Sequence, residues 1–107
     1  MEQLSVTGLK AWLDDASRPQ PVLLDVREPW EYELARIEGS TLVPMQAVPA
    51  RSGELDEAAE TVVICHHGAR SMQVAMFLER AGFARVYNLA GGVDAWARRV
   101  DPSMATY

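Results

Sequence analysis

Apolar residues recur along this chain at helical spacing in some stretches and in short unbroken runs in others. Leu4, Val6, Leu9, Trp12 and Leu13 make an apolar start, with Thr7 the expected cap of a helix running to Asp15. Pro21-Val22-Leu23-Leu24-Asp25-Val26 is a continuous run, as in a strand covered on both faces. Ser40 to Pro44 reads as another short strand, and Arg51 to Glu60 as a surface segment with one or two helical turns. Thr61-Val62-Val63-Ile64 is the clearest strand, rich in β-branched residues, and it ends at Cys65.

After Cys65 the rhythm changes. His66-His67-Gly68-Ala69-Arg70 is too polar and too short for anything but a loop. From Ser71 a helix is expected to about Arg80, with Met72, Ala75, Met76, Phe77 and Leu78 on its apolar side and Gly82 to stop it. Arg85-Val86-Tyr87-Asn88-Leu89 is a last strand. Gly91-Gly92 then turns the chain into a final helix, with Trp96 on its core face. Strand–helix units joined by short connections predict a three-layer α/β fold with a mainly parallel central sheet and helices on both faces. At 107 residues the expectation is one domain, residues 1–107.

Composition narrows the function. Nearly half the residues are apolar (49%), enough for a modest core and against disorder. The formal charge of −5 argues against a nucleic-acid partner, whose phosphates need basic side chains. The start of the chain lacks a signal-peptide pattern, and no apolar run reaches membrane-spanning length, so the expectation is a cytoplasmic protein without a membrane partner. The single Cys excludes an internal disulfide. Cys, His and carboxylates do not fall at zinc-site spacings. His66 and His67, adjacent to each other and to Cys65, cannot wrap a tetrahedral ion without a further ligand, so no metal is expected.

Cys65 is the candidate for chemistry. Sites in open α/β sheets gather beyond the carboxyl ends of strands, near helix N-termini. Amides there have no intrahelical partner, and together with the helix dipole they favour an anion, a thiolate included. Gly68 permits the backbone geometry of an inward-facing anion nest. Arg70 adds a rigid fork of donors for an oxyanion. The alternatives at this level are a lone Cys acting as small core residue and Arg70 as a surface charge at a helix end. His66 and His67 are either general bases or the rim of the site. Trp96 reads as core, and Trp30, following Pro29 at a surface turn, as either the mouth of the site or a docking face.

Four stretches taken together resemble the single-domain rhodanese family over nearly the whole chain: Asp25-Val26-Arg27-Glu28 with Glu31 and Tyr32; Ile37-Glu38-Gly39-Ser40 leading to Val43-Pro44; Cys65-His66-His67-Gly68-Ala69-Arg70-Ser71; and Asn88-Leu89-Ala90-Gly91-Gly92 with Ala95-Trp96. The resemblance implies a sulfurtransferase. Cys65 would take a sulfane sulfur from thiosulfate or another donor and pass it to cyanide or a thiol, with no cofactor. It also implies that the loop from Cys65 to Arg70 surrounds the sulfur, that Asp25 and Arg27 brace the region beneath it, and that Arg27 pairs with Glu31. Implied partners are a small anionic sulfur donor and a thiol-bearing acceptor or sulfur-relay protein. Arg36 departs from the family pattern, in which many members carry His there, and is expected to alter donor or partner preference if it lies at the site mouth.

Two rivals remain. A cysteine phosphatase or arsenate reductase uses the same physics, but its loop is one residue longer than the one from Cys65 to Arg70. The shorter loop suits a single sulfur better than a tetrahedral phosphoryl group. A persulfide carrier or non-catalytic docking domain in a sulfur relay is the second rival, and the loop alone does not separate it from an enzyme.

Overall fold

A computed structural model describes residues 1–107. Five strands form one wholly parallel sheet: β1 (Glu2–Leu4), β2 (Val22–Asp25), β3 (Thr41–Leu42), β4 (Glu60–Ile64) and β5 (Arg85–Leu89). Their order across the sheet is β1-β5-β4-β2-β3, which puts the β-branched strand β4 at the centre. Helices α1 (Val6–Asp14), α2 (Pro29–Leu34), α3 (Val48–Arg51), α4 (Ala69–Arg80) and α5 (Gly92–Arg99) supply the crossovers. This is the three-layer α/β arrangement expected from the sequence. No helix is long and apolar enough to cross a membrane.

The two-residue period of the strands divides the core. Leu24, Val26, Val63, Cys65 and Val86 face a layer built from Val48 of α3 and Val74, Ala75 and Leu78 of α4. Leu23, Val62, Ile64 and Leu89 face the other layer, from Val6, Leu9 and Trp12 of α1 and Val93 and Trp96 of α5. Trp96 is core, as its spacing indicates. Cys65 therefore leaves the central strand pointing into the α4 side, which delivers its thiol to that helix's N-terminus.

Local chemistry moves several boundaries. The cap of α1 is Ser5, not Thr7: Ser5 is extended and its hydroxyl accepts the Gly8 N–H at 3.0 Å. Pro29 and Trp30 open helix α2 rather than forming a surface turn, because proline is tolerated where an amide would lack a partner. The helical turn expected within residues 51–60 is a 3-10 turn at Ser52–Glu54, continuing directly from α3, which begins earlier at Val48. Strand β1 has too little buried side chain to show in an apolar pattern; it is specified by pairing with β5. Helix α4 begins at Ala69 instead of Ser71, since Gly68 adopts a left-handed conformation (φ +110°) that starts the helix at once. Met72, Met76 and Phe77 lie on its outer side, exposed, and its buried face is Ser71, Val74, Ala75 and Leu78.

Candidate active site

Three adjacent strands end side by side and supply the floor of the site. Asp25 of β2 pairs in register with Ile64 of β4, and Val63 of β4 with Asn88 of β5. Cys65 follows directly, at the carboxyl edge of the central strand. Its side chain is 1% exposed.

The Cys65 thiol is held by α4. Gly68 N–H donates to Sγ at 3.0 Å, and Sγ lies 3.2 Å from Ser71 Oγ. The first intrahelical bond of α4 runs from Met72 N–H to Gly68 O, at 3.3 Å. The amides of Ala69, Arg70 and Ser71 precede it, which leaves the helix's donor end next to the sulfur. Behind Ser71 stands Asn88, whose Nδ2 donates to Gln3 Oε1 (2.9 Å) and Gly68 O (3.2 Å). Both amide protons are thereby used, and Oδ1 is left to accept the Ser71 hydroxyl. A hydroxyl has one proton. With that proton on Asn88, Ser71 Oγ accepts from the Cys65 thiol; when the thiol ionises, the hydroxyl can turn and donate to sulfur. Asn88 was not among the residues singled out as site residues. Its signals are a polar side chain near the end of an apolar strand and its place at the head of the fourth stretch that carries the family resemblance.

Helix α5 clamps the loop from the other side. Val93 N–H donates to Cys65 O and Asp94 N–H to His66 O, both at 3.0 Å. Gly92 allows this approach: a Cβ there would stand 2.3 Å from Cys65 O and 2.4 Å from His66 O.

The charged residues pair differently from the sequence expectation. The Arg27 side chain does not pair with the Glu31 carboxylate. Fully buried, it binds Asp25 through Nε (2.9 Å) and Nη2 (2.8 Å) and donates to the backbone carbonyls of Ala35 (2.5 Å) and Glu31 (3.3 Å). Burial opposes its charge, but the hydrogen bonds it donates to Asp25 and Tyr107 outweigh burial and raise its pKa. The Glu31 carboxylate faces Arg70 instead, two-pronged at 2.8 and 2.9 Å, and also accepts the Glu28 N–H at 2.8 Å. Arg70 holds Glu31 well below the carboxylate range, at about 2. Glu31 in turn raises Arg70 further above its ordinary value. Asp25, two residues away and equally buried, takes the Arg27 fork, while the tertiary fold turns the Glu31 carboxylate to Arg70.

Above this frame lies an aromatic stack. His66 packs face to face on Tyr107 (3.8 Å between ring centres, 5° between planes) and 3.8 Å from His67, while Trp30 meets Tyr107 edge-on at 5.7 Å. Trp30 is 61% exposed and so sits at this outer wall. Burial, and then the neighbouring His67, lower the His66 pKa. The Tyr107 hydroxyl accepts from Arg27 Nη1 (2.9 Å) and donates to Glu31 Oε1 (3.2 Å). No local sequence feature marked Tyr107. Arg36 stacks over Tyr32, 4.8 Å from the ring centre, and lines a groove with Ile37, Trp96 and Val100 that includes none of residues 65–71.

A parallel sheet with a buried cysteine at its central carboxyl edge, received by the N-terminus of a helix, defines an α/β domain with a cysteine-centred loop. The family model described as the rhodanese-like domain matches residues 5–99, and the chain belongs to that family. It is 43% identical over 89 residues to the rhodanese-like/PpiC domain-containing protein 12, chloroplastic, of Arabidopsis thaliana, across 79% of this chain and 30% of that protein. It thus spans less than a third of that relative's length. A sulfurtransferase of Allochromatium vinosum is 38% identical over 84 residues, across 78% of each chain. The crystal structure of a rhodanese-like domain protein from Staphylococcus aureus matches with a TM-score of 0.84 at 26% identity, across 100% of this chain and 99% of that one. Membership of this sulfurtransferase superfamily accompanies a single, buried cysteine.

Proposed function

We propose that this protein is a sulfurtransferase that carries sulfane sulfur as a persulfide on Cys65. The observation that carries the reading is the Gly68 N–H aimed at Sγ from 3.0 Å, inside a loop fixed by helix termini on both sides. The Cys65 thiolate attacks the outer sulfur of thiosulfate; the new S–S bond forms as the donor's S–S bond breaks, and sulfite leaves with the bonding pair. A persulfide donor reacts in the same way and releases its thiolate. Cyanide or an acceptor thiolate then attacks the terminal sulfur, leaving as thiocyanate or a new persulfide, and Cys65 thiolate is restored.

The roles follow from position. Gly68, Ala69 and Ser71 offer fixed donors to the sulfur, where negative charge rests, with little reorganisation during transfer. His66 and His67 form the rim. Asp25 and Arg27 brace the loop from beneath. Glu31 holds Arg70, which stays partly exposed and has further N–H groups with which to orient an anionic donor. The scheme requires no cofactor. A thiol that must return to its reduced form at every turnover fits the cytoplasm.

A second reading, a persulfide carrier within a relay, is favoured by the Arg70–Glu31 pair. Glu31 already balances the Arg70 charge, so the mouth offers little net positive charge to a dianionic donor.

Intact-protein mass spectrometry of reduced protein incubated with thiosulfate, beside Cys65→Ser, tests the proposal. The expected result is a gain of one sulfur atom, absent in the variant and removed by cyanide with release of thiocyanate. Loading from a low-molecular-weight persulfide but not from thiosulfate identifies the carrier. No loading from either donor overturns both readings.

A further inference from the structure

We propose that His66, His67 and Asp94 form a binding site for one divalent transition-metal ion of the zinc type, on the rim of the sulfur-carrying loop. The two adjacent histidines by themselves lack the further ligand that a zinc-type ion needs. The fold supplies that ligand from helix α5, twenty-seven residues beyond His67 in the chain. One ligand atom from each of the three side chains lies within 4.8 Å of the others, and His67 Nε2 is 3.8 Å from Asp94 Oδ2. A set of two imidazoles and one carboxylate suits zinc, nickel or cupric copper and leaves a coordination position open to water.

Three features of the surroundings favour a site over a chance cluster. The backbone is fixed: the hydrogen bonds from Val93 and Asp94 to the carbonyls of Cys65 and His66 set Asp94 beside both rings. His66 Nε2 is buried and has no hydrogen-bond partner, so one imidazole nitrogen has nothing to bind within the protein. The 3.8 Å gap between His67 and Asp94 is too long for a hydrogen bond, so no bond between these two side chains has to be broken for an ion to enter. Ligand atoms around a tetrahedral zinc ion stand roughly 3.4 Å apart, given bonds of about 2.0–2.2 Å. Closing the cluster by about an ångström is within the reach of His67, which is exposed. Arg98 Nε donates to the same Asp94 Oδ2 at 3.0 Å, and the carboxylate keeps a further lone pair on that oxygen and the whole of Oδ1 to offer an ion.

The site is independent of the Cys65 chemistry, and the experiment separates the two. Tag-free Cys65→Ser protein, stripped with a chelator, is titrated with Zn²⁺ by calorimetry and with Co²⁺ by visible absorption. Removing the thiol excludes a metal held by sulfur. The expected result is one ion per chain with a tetrahedral Co²⁺ spectrum, weakened at least about tenfold by His67→Gln and by Asp94→Asn, each made in that background. Circular dichroism of the metal-free variants checks that they fold. Absence of saturable binding of either ion overturns the proposal, as does binding that either substitution leaves unchanged.

Discussion

Arg70 and Glu31, thirty-nine residues apart in the chain, meet through two hydrogen bonds of 2.8 and 2.9 Å and join the first turn of helix α4 to helix α2. In the proposed reaction the pair would set the charge that a donor meets. Glu31 is 4% exposed, whereas Arg70 is 36% exposed at the mouth.

Replacing Glu31 by Gln keeps the shape and leaves the Arg70 charge unbalanced. The Glu31→Gln protein should use thiosulfate better, with KM lowered roughly two- to fivefold, the equivalent of an exposed charge interaction of about 0.5–1 kcal/mol. Its KM for a neutral persulfide should not move. Steady-state kinetics with the two donors checks this, and an equal change for both would show that Glu31 acts on loop shape alone.

The same carboxylate gives the fold an acid limit. Its folded pKa, about 2, lies below the unfolded value near 4.3, so its stabilising effect is complete above the unfolded value. That effect is lost as pH falls from about 4.5 towards 2. Urea unfolding across this range should show parent stability dropping more steeply with acid than that of Glu31→Gln.

Gly92 has no room for a side chain. In Gly92→Ala the methyl group would press on the carbonyls of Cys65 and His66, at a backbone φ of +58°. We expect a loss of roughly 2–4 kcal/mol in unfolding free energy. Sulfur loading should fall even at temperatures where the variant is fully folded, as the clamp on the loop is displaced.

Ser71 is the group that can turn its proton from Asn88 to the Cys65 sulfur. Ser71→Ala should slow alkylation of Cys65 by iodoacetamide at neutral pH about fivefold, the effect of one lost hydrogen bond of roughly 1 kcal/mol. An unchanged alkylation rate would remove Ser71 from the account of thiolate stabilisation.

Tyr107 links Arg27 to Glu31 through one hydroxyl. Tyr107→Phe retains the ring stacked on His66 and deletes that bridge, so a cost of about 1 kcal/mol is expected in thermal or urea unfolding. A similar stability in the variant would place the contribution of Tyr107 in its ring.

What the sequence by itself determined was local or periodic. The unbroken apolar run at 22–24 and the β-branched run at 61–64 are buried strands because such runs are covered on both faces of a parallel sheet. The polar loop after Cys65, its glycine and the helix that follows were legible because backbone conformation and unpaired amides depend on neighbours a few residues away. Only the tertiary structure decided the rest. Arg27 chose Asp25 over Glu31, Arg70 took Glu31, and Asn88, Tyr107 and Asp94 came to the loop from distant segments. Met72, Met76 and Phe77 turned outward because the sheet meets α4 along Ser71, Val74, Ala75 and Leu78. An apolar pattern records which residues prefer burial, but buried charges are matched by geometry, and that geometry exists only once the strands are in register.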